Sequence, residues 1–371
     1  MPSDRPLVHL ARSEPDAYDA EAVVDAVTAA GGERAGLDGV LADLSRRGRR
    51  TLAPHPRLLG LAVDRALTWD ATDRRDRDWW PQGITHSERT GTTRPLLLVS
   101  WYHRGEAGAR VSVLDPATRR YQHVLLAEPV RAGDHAGSGV ALRPLRVHAG
   151  GLVWHRRHLH VAATARGFFT ASLDDVLRVP GGGRAGEGVL GLDPAGHAYV
   201  LPVRHAFRAG YAEGTEPLRY SFLSLDRSGT PPELLVGEYG RAGQSRRFAR
   251  FEVDDATGLP AYSPDGQSVS PEDGGELRMQ GVAAADGAHY VTASDGPWRP
   301  GTVYVGRPGA LRGRRWATPM GPEDLTWWPA TGMLWTATEH PRRRWVVGMR
   351  KDRLDRWAER VRRDDPRGGT R

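Results

Sequence analysis

Four polar side chains recur at one place in a repeated pattern. Gln82 precedes Gly83-Ile84, His148 precedes Gly150-Gly151-Leu152, Gln280 precedes Gly281-Val282, and Glu323 precedes Asp324-Leu325. Each opens an apolar segment, and each is of a type that does chemistry. A histidine changes charge near neutral pH, so His148 is a candidate general base or ligand. Glu323 is a candidate general acid, general base or metal ligand. Glutamine amides donate and accept hydrogen bonds, so Gln82 and Gln280 would orient a bound substrate. Glu238 and Glu339 close later apolar segments, where they would contact a ligand or pair with arginines such as Arg342. The same residue types can instead bond backbone amides and fix the fold, and the sequence leaves both roles open.

Other groupings say less. His155, His158 and His160 lie close together, and the last two would share one strand face, a spacing that suits a metal. His155-Arg156-Arg157-His158 reads as an exposed hairpin turn, however, which makes a poor metal cage. Ser138 sits in Gly-Ser-Gly without the Gly-x-Ser-x-Gly elbow and reads as loop. The chain has no Walker loop, dinucleotide fingerprint or His-Glu-x-x-His helix. Having no cysteine, it has no disulfide, thiolate metal site or cysteine nucleophile.

The candidates are far apart in sequence, so a fold must gather them. Leu96–Trp101 and Val111–Asp115 follow Gln82, and Leu159–Thr164 and Phe168–Leu173 follow His148. Tyr220–Leu225 opens a copy continued by Leu234–Tyr239 and Phe248–Val253. Tyr290–Ser294 and Thr302–Val305 follow Gln280, and Met333–Thr338 and Trp345–Met349 follow Glu323. Each copy reads as a small antiparallel sheet with two apolar faces. Stacking such sheets radially buries both faces and leaves only short edges. The copies begin 66, 72, 60 and 43 residues apart, against roughly 40–50 for a four-stranded propeller blade. The longer intervals require insertions, and the 72-residue one could hold a further blade around Val189–Val203. Leu58–Val63 is the candidate closing strand. The 45 glycines and 27 prolines supply turns, and the 12 tryptophans suit the wedges between twisted sheets.

Both ends read differently. Residues 16–50 have helical spacing, with Arg46, Arg47, Arg49 and Arg50 at a helix C-terminus. Residues 351–363 form a second candidate helix with Leu354, Trp357 and Val361 on one face.

The phrase Gly150-Gly151-Leu152…Leu159-His160-Val161-Ala162…Gly167 resembles one from the propeller group of gluconolactonases, calcium-dependent lactonases and strictosidine-synthase-like proteins. That group's phrase usually ends Tyr-Val-Ala-Asp; here His160 replaces the aromatic and Ala163 the acid. The resemblance spans roughly residues 80–350. It implies a propeller with a small-molecule site on its axis, and in metal-dependent members a divalent cation held by a Glu with Asn and Asp residues. Only Glu323 resembles such a ligand, and the chain contains no asparagine.

A net charge of +7 with a single lysine reflects dispersed arginines, and without a recognition motif it does not point to nucleic acid. No apolar run reaches the ~18–20 residues needed to span a bilayer. The start lacks a basic region followed by an apolar one, so a cytoplasmic location is expected, or a secreted one if the true start lies upstream. The sequence predicts an all-β, five-bladed β-propeller, with six blades the close alternative. It divides into an N-terminal extension and closing strand (1–70), the propeller (71–350), and a C-terminal helix and tail (351–371). The expected partner is a small molecule at the central channel mouth, with hydrolase (lactonase- or esterase-like) or lyase chemistry. The alternative is a non-catalytic module binding a ligand or protein.

Overall fold

The computed structural model describes residues 7–13, 20–51, 60–131, 139–184, 186, 188–261 and 266–364. Short β-strands dominate because the apolar runs are brief, rich in β-branched and aromatic residues, and cut by glycine and proline.

Most of the described strands fall into five antiparallel groups, the first two of them joined within one larger sheet. The first holds Trp79–His86, Leu97–His103, Ala109–Leu114 and Arg120–Arg131. The second holds Leu152–His155, His158–Ala162, Phe168–Ser172 and Tyr199–Tyr211. The third holds Phe222–Asp226, Glu233–Gly237 and Phe248–Glu252. The fourth holds Met279–Ala285, Ala288–Ala293, Thr302–Gly306 and Arg312–Arg314. The fifth holds Pro322–Trp328, Met333–Thr338 and Trp345–Arg350, completed by Val63–Thr68 from the other end of the chain. The opening strand of each group neighbours that of the next, and Pro322–Trp328 returns to Trp79–His86, closing the ring.

Apolar side chains fill the wedges between groups. Leu98, Val111, Leu152, Leu159 and Phe169 pack between the first two, and Leu223, Leu234, Phe168 and Tyr220 between the second and third. Burying each such side chain contributes roughly 1.5–3 kcal/mol. Where opening strands touch, only glycine fits. A Cβ on Gly151 would sit 2.1 Å from the Leu223 amide nitrogen, and one on Gly281 would sit 2.4 Å from that of Leu325. The glycines that read as strand openers are thus the points of contact between neighbouring groups.

Several expectations require correction. The closing strand is Val63–Thr68, C-terminal to the expected Leu58–Val63, of which residues 58 and 59 lie outside the described residues. The ring edge takes the segment whose Ala66 and Thr68 side chains are buried on it. Tyr199–Tyr211 is the outermost strand of the second group and not the start of another sheet. Its first residues, Tyr199–Pro202, run parallel to Val124–Ala127 and join the first two groups. Among the described residues of 16–50, Ala20–Ala29 and Gly36–Ala42 are the helical segments. Arg46–Arg47 and Arg49–Arg50 are short edge strands paired to Arg120–Tyr121 and Leu67–Thr68, charged edges of the kind that resist further pairing. The C-terminal helix runs Lys351–Asp364 and buries Leu354 and Ala358. Ser138 lies outside the described residues. No described helix is long and apolar enough to cross a membrane.

Candidate functional site

The opening strands are irregular where they begin. Their pairing register slips between Pro81 and Ile84, between Met279 and Gly281, and between Pro322 and Leu325. These irregularities contain Gln82, Gln280 and Glu323. A bulge frees a residue from strict up-down alternation and re-aims its side chain. Here the freed residues face the ring axis.

The result is a cavity of about 690 Å³ at one mouth of the ring. Gln82, His148, Gln280, Glu323 and Glu339 all line it, together with Thr164, Arg219, Ser221, Tyr239 and Arg241. Five of the six candidate residues therefore share one space. The sixth, Glu238, does not line it. Its carboxylate is fully buried behind the wall, 2.9 Å from Arg247 Nε, and accepts from the amides of Arg219 and Arg247 at 3.0 and 3.1 Å. It anchors the wall segment carrying Arg219 and Tyr239.

The polar groups bond in pairs across sheet boundaries. Gln280 Nε2 donates to Glu323 Oε1 at 3.4 Å, and Gln82 Nε2 donates to Glu339 Oε2 at 3.5 Å and to the Pro81 carbonyl at 2.8 Å. The Tyr102 ring lies 4.5 Å from that of His148, centroid to centroid. Thr292 and Thr336 hydroxyls donate to the Glu323 carbonyl at 2.7 and 3.2 Å, holding its backbone.

Burial sets the charge state. Desolvation, then the nearby Glu339 and Asp324 charges, pushes Glu323 well above the usual carboxylate range. Desolvation also raises Glu339 to about 7, against the opposing pull of its bond from Gln82 and of the Arg344 guanidinium. His148 is open to the cavity but crowded by its walls, and this desolvation lowers its pKa. The site thus holds an imidazole biased toward its neutral form, a Glu323 biased toward its protonated form and a Glu339 poised between its two states near pH 7. Such a set can give a proton to one ligand atom and take one from another. Arg219 and Arg241 supply positive charge at the wall.

The sequence reading overlooked Asp324. It is fully buried, and its Oδ2 accepts from the amides of Ile84 and Leu152, both at 3.1 Å. One carboxylate thereby ties the fifth group to the first and second beneath the cavity floor. Burial pushes its pKa up despite those bonds. The available signal was its place beside Glu323 in the same irregular turn.

The donors do not fit a divalent cation. Although His148, Glu323 and Glu339 share the cavity, among the described residues no three acidic or imidazole side chains are arranged so that they could hold a metal ion. Glu323 and Glu339 face the cavity with amide partners, while Asp324 spends its Oδ2 on backbone amides and keeps its Oδ1 buried and without a hydrogen-bond partner among the described residues. The histidine cluster is not a metal cage either. His155 and His158 are buried and not exposed as expected. His158 bonds the Thr257 carbonyl, and His160 bonds Thr170 Oγ1 and the Gly258 carbonyl, so these rings pin the 255–258 loop.

No family model and no curated protein matches the chain. Among solved structures it is similar to a gluconolactonase of Xanthomonas campestris, at 16% identity over 82% of this chain and 84% of that one, with a TM-score of 0.36. It is similar to the Swd1 β-propeller domain of Myceliophteria thermophila at 13% identity, 74% and 98% coverage and a TM-score of 0.38. A luciferin-regenerating enzyme matches at 10% identity, 73% and 75% coverage and a TM-score of 0.33. Likeness this distant leaves the chemistry to be argued from the chain's own residues.

Proposed function

We propose that the chain is a five-bladed β-propeller whose axial cavity binds a small polar molecule and hydrolyses a lactone or ester bond in it. The observation that carries this reading is the convergence of Gln82, His148, Gln280, Glu323 and Glu339 in one cavity. Its volume lies within the range of small-molecule sites. In the proposed step His148 takes a proton from water, whose oxygen attacks the carbonyl carbon. The protonated Glu339 gives its proton to the departing alkoxide oxygen, leaving a hydroxy acid or an acid and alcohol. Gln82 and Gln280 orient the substrate, and Tyr239 and Arg219 cover its outer face. A cytoplasmic location belongs to the same proposal.

A panel of aldonolactones and short-chain esters tests it. Hydrolysis above the uncatalysed rate, lost in His148→Ala and sharply reduced in Glu339→Gln, supports the reading. Rates no better than buffer across the panel, with ligand still bound, favour the second reading of a non-catalytic binding module. The observation behind that alternative is that Gln82 and Gln280 already satisfy the two carboxylates, as in a preformed recognition surface.

A further inference from the structure

The opening strands end at the other mouth of the ring. There Glu88, Arg89, Leu225, Arg227, Asp286 and Trp327 line a smaller cavity of about 190 Å³. Arg227 directly follows Phe222–Asp226. Its Nε and Nη2 are buried and have no hydrogen-bond partner among the described residues.

The acids nearby are engaged elsewhere. Asp226 accepts from Arg250 at 2.7 Å and from the Ser228 hydroxyl at 2.6 Å. Asp286 pairs with Lys351 at 2.7 Å. Asp255 pairs with Arg156 at 3.3 Å and lies 3.3 Å from His155. Glu88 Oε2 accepts from the Ala330 amide at 2.9 Å. Arg89 stands exposed on the rim and adds positive potential. Burial, then the Arg89 charge, draws Arg227 down to about 10, so it stays cationic at neutral pH. A buried guanidinium with idle donors is costly, and an oxyanion presents the paired acceptors that its planar fork matches.

We propose that this second mouth binds a small oxyanion, a phosphate or carboxylate group, with Arg227 as its principal donor and Arg89 closing over it. The site is separate from the axial cavity and does not depend on the hydrolase reading.

Isothermal titration of the full chain with inorganic phosphate and with acetate, at constant ionic strength against chloride, tests it. Saturable binding of at least one oxyanion is expected, weakened about tenfold or more in Arg227→Met, as for loss of a charge-assisted bidentate pair. Arg227→Lys, which keeps the charge and removes the fork, is expected to lose most of the binding as well. Arg89→Gln should weaken it less. Stronger binding of phosphate indicates a phosphate-bearing ligand, and of acetate a carboxylate. No binding of either beyond chloride, or equal binding by wild type and Arg227→Lys, would overturn the proposal.

Discussion

The side-chain amide of Gln280 meets Oε1 of Glu323 at 3.4 Å, joining the residues that open neighbouring sheets. Forty-three positions separate them in sequence. They meet because each sits in an irregularity at the start of its strand, and because Gly281 lets the two backbones touch. The site and the packing of the ring are therefore built from the same few residues.

That coupling predicts a large effect from a single methyl group. Gly281→Ala places a Cβ 2.4 Å from the Leu325 nitrogen, so the strands must part. The expected cost is about 1–3 kcal/mol or more, read as a lowered urea midpoint. Gly210→Ala is the control, since its Cβ would meet nothing nearer than His9 at 3.5 Å. Equal midpoints for the two variants would contradict the close approach.

Asp324 makes a second prediction. Removing it in Asp324→Ala leaves the buried amides of Ile84 and Leu152 without an acceptor, at about 1–3 kcal/mol each. Asp324→Asn keeps an acceptor oxygen and relieves a buried carboxyl, so it should fall well short of that loss. Chemical denaturation of both variants checks the order, and an asparagine variant as unstable as the alanine one would contradict it.

Glu339 links stability to pH. Its folded pKa of about 7 stands above the ordinary 4.5. The neutral form is therefore favoured in the fold, and the penalty appears as pH rises from 4.5 to 7. Above that window it amounts to roughly 3 kcal/mol. Glu339→Gln should thus be more stable than wild type at pH 8 and close to it at pH 4. The same difference at both pH values would mean the carboxyl is not held neutral by burial.

The histidines act in the opposite sense. Burial holds His86, His160 and His197 near 3 and His123 near 4, below the ordinary 6.5. The unfolded chain then takes up protons that the folded one refuses, so stability falls as pH drops from 6.5 toward 4. Six further histidines are depressed in the same way, and together they outweigh the four raised acids. Thermal melts from pH 7.5 to 4.5 should show a steady decline. A flat or rising profile would contradict the burial of these rings.

Most strands were legible because their apolar runs are short and well punctuated. Gln82, Gln280 and Glu323 were legible because each precedes a small or acidic residue that the ring requires at that point. Glu238 takes the arginine-paired role of the two its type allowed, but nothing in its spacing shows that its partner is Arg247, just ahead of the next strand. Val8–Arg12, which pairs with Phe207–Tyr211 and with Gln267–Val269, gave no local signal, because its partners lie about 200 and 260 positions away. Asp324 and Arg227 owe their significance to neighbours brought close only by ring closure, so no local pattern marks them.

The most direct test of the central claim is kcat/KM against pH for lactone hydrolysis by wild type and Glu339→Gln. A bell-shaped profile is expected, rising as His148 loses its proton and falling near pH 7 as Glu339 ionises. In the glutamine variant the alkaline limb should vanish along with most of the rate. Superimposable profiles for the two proteins would contradict the account.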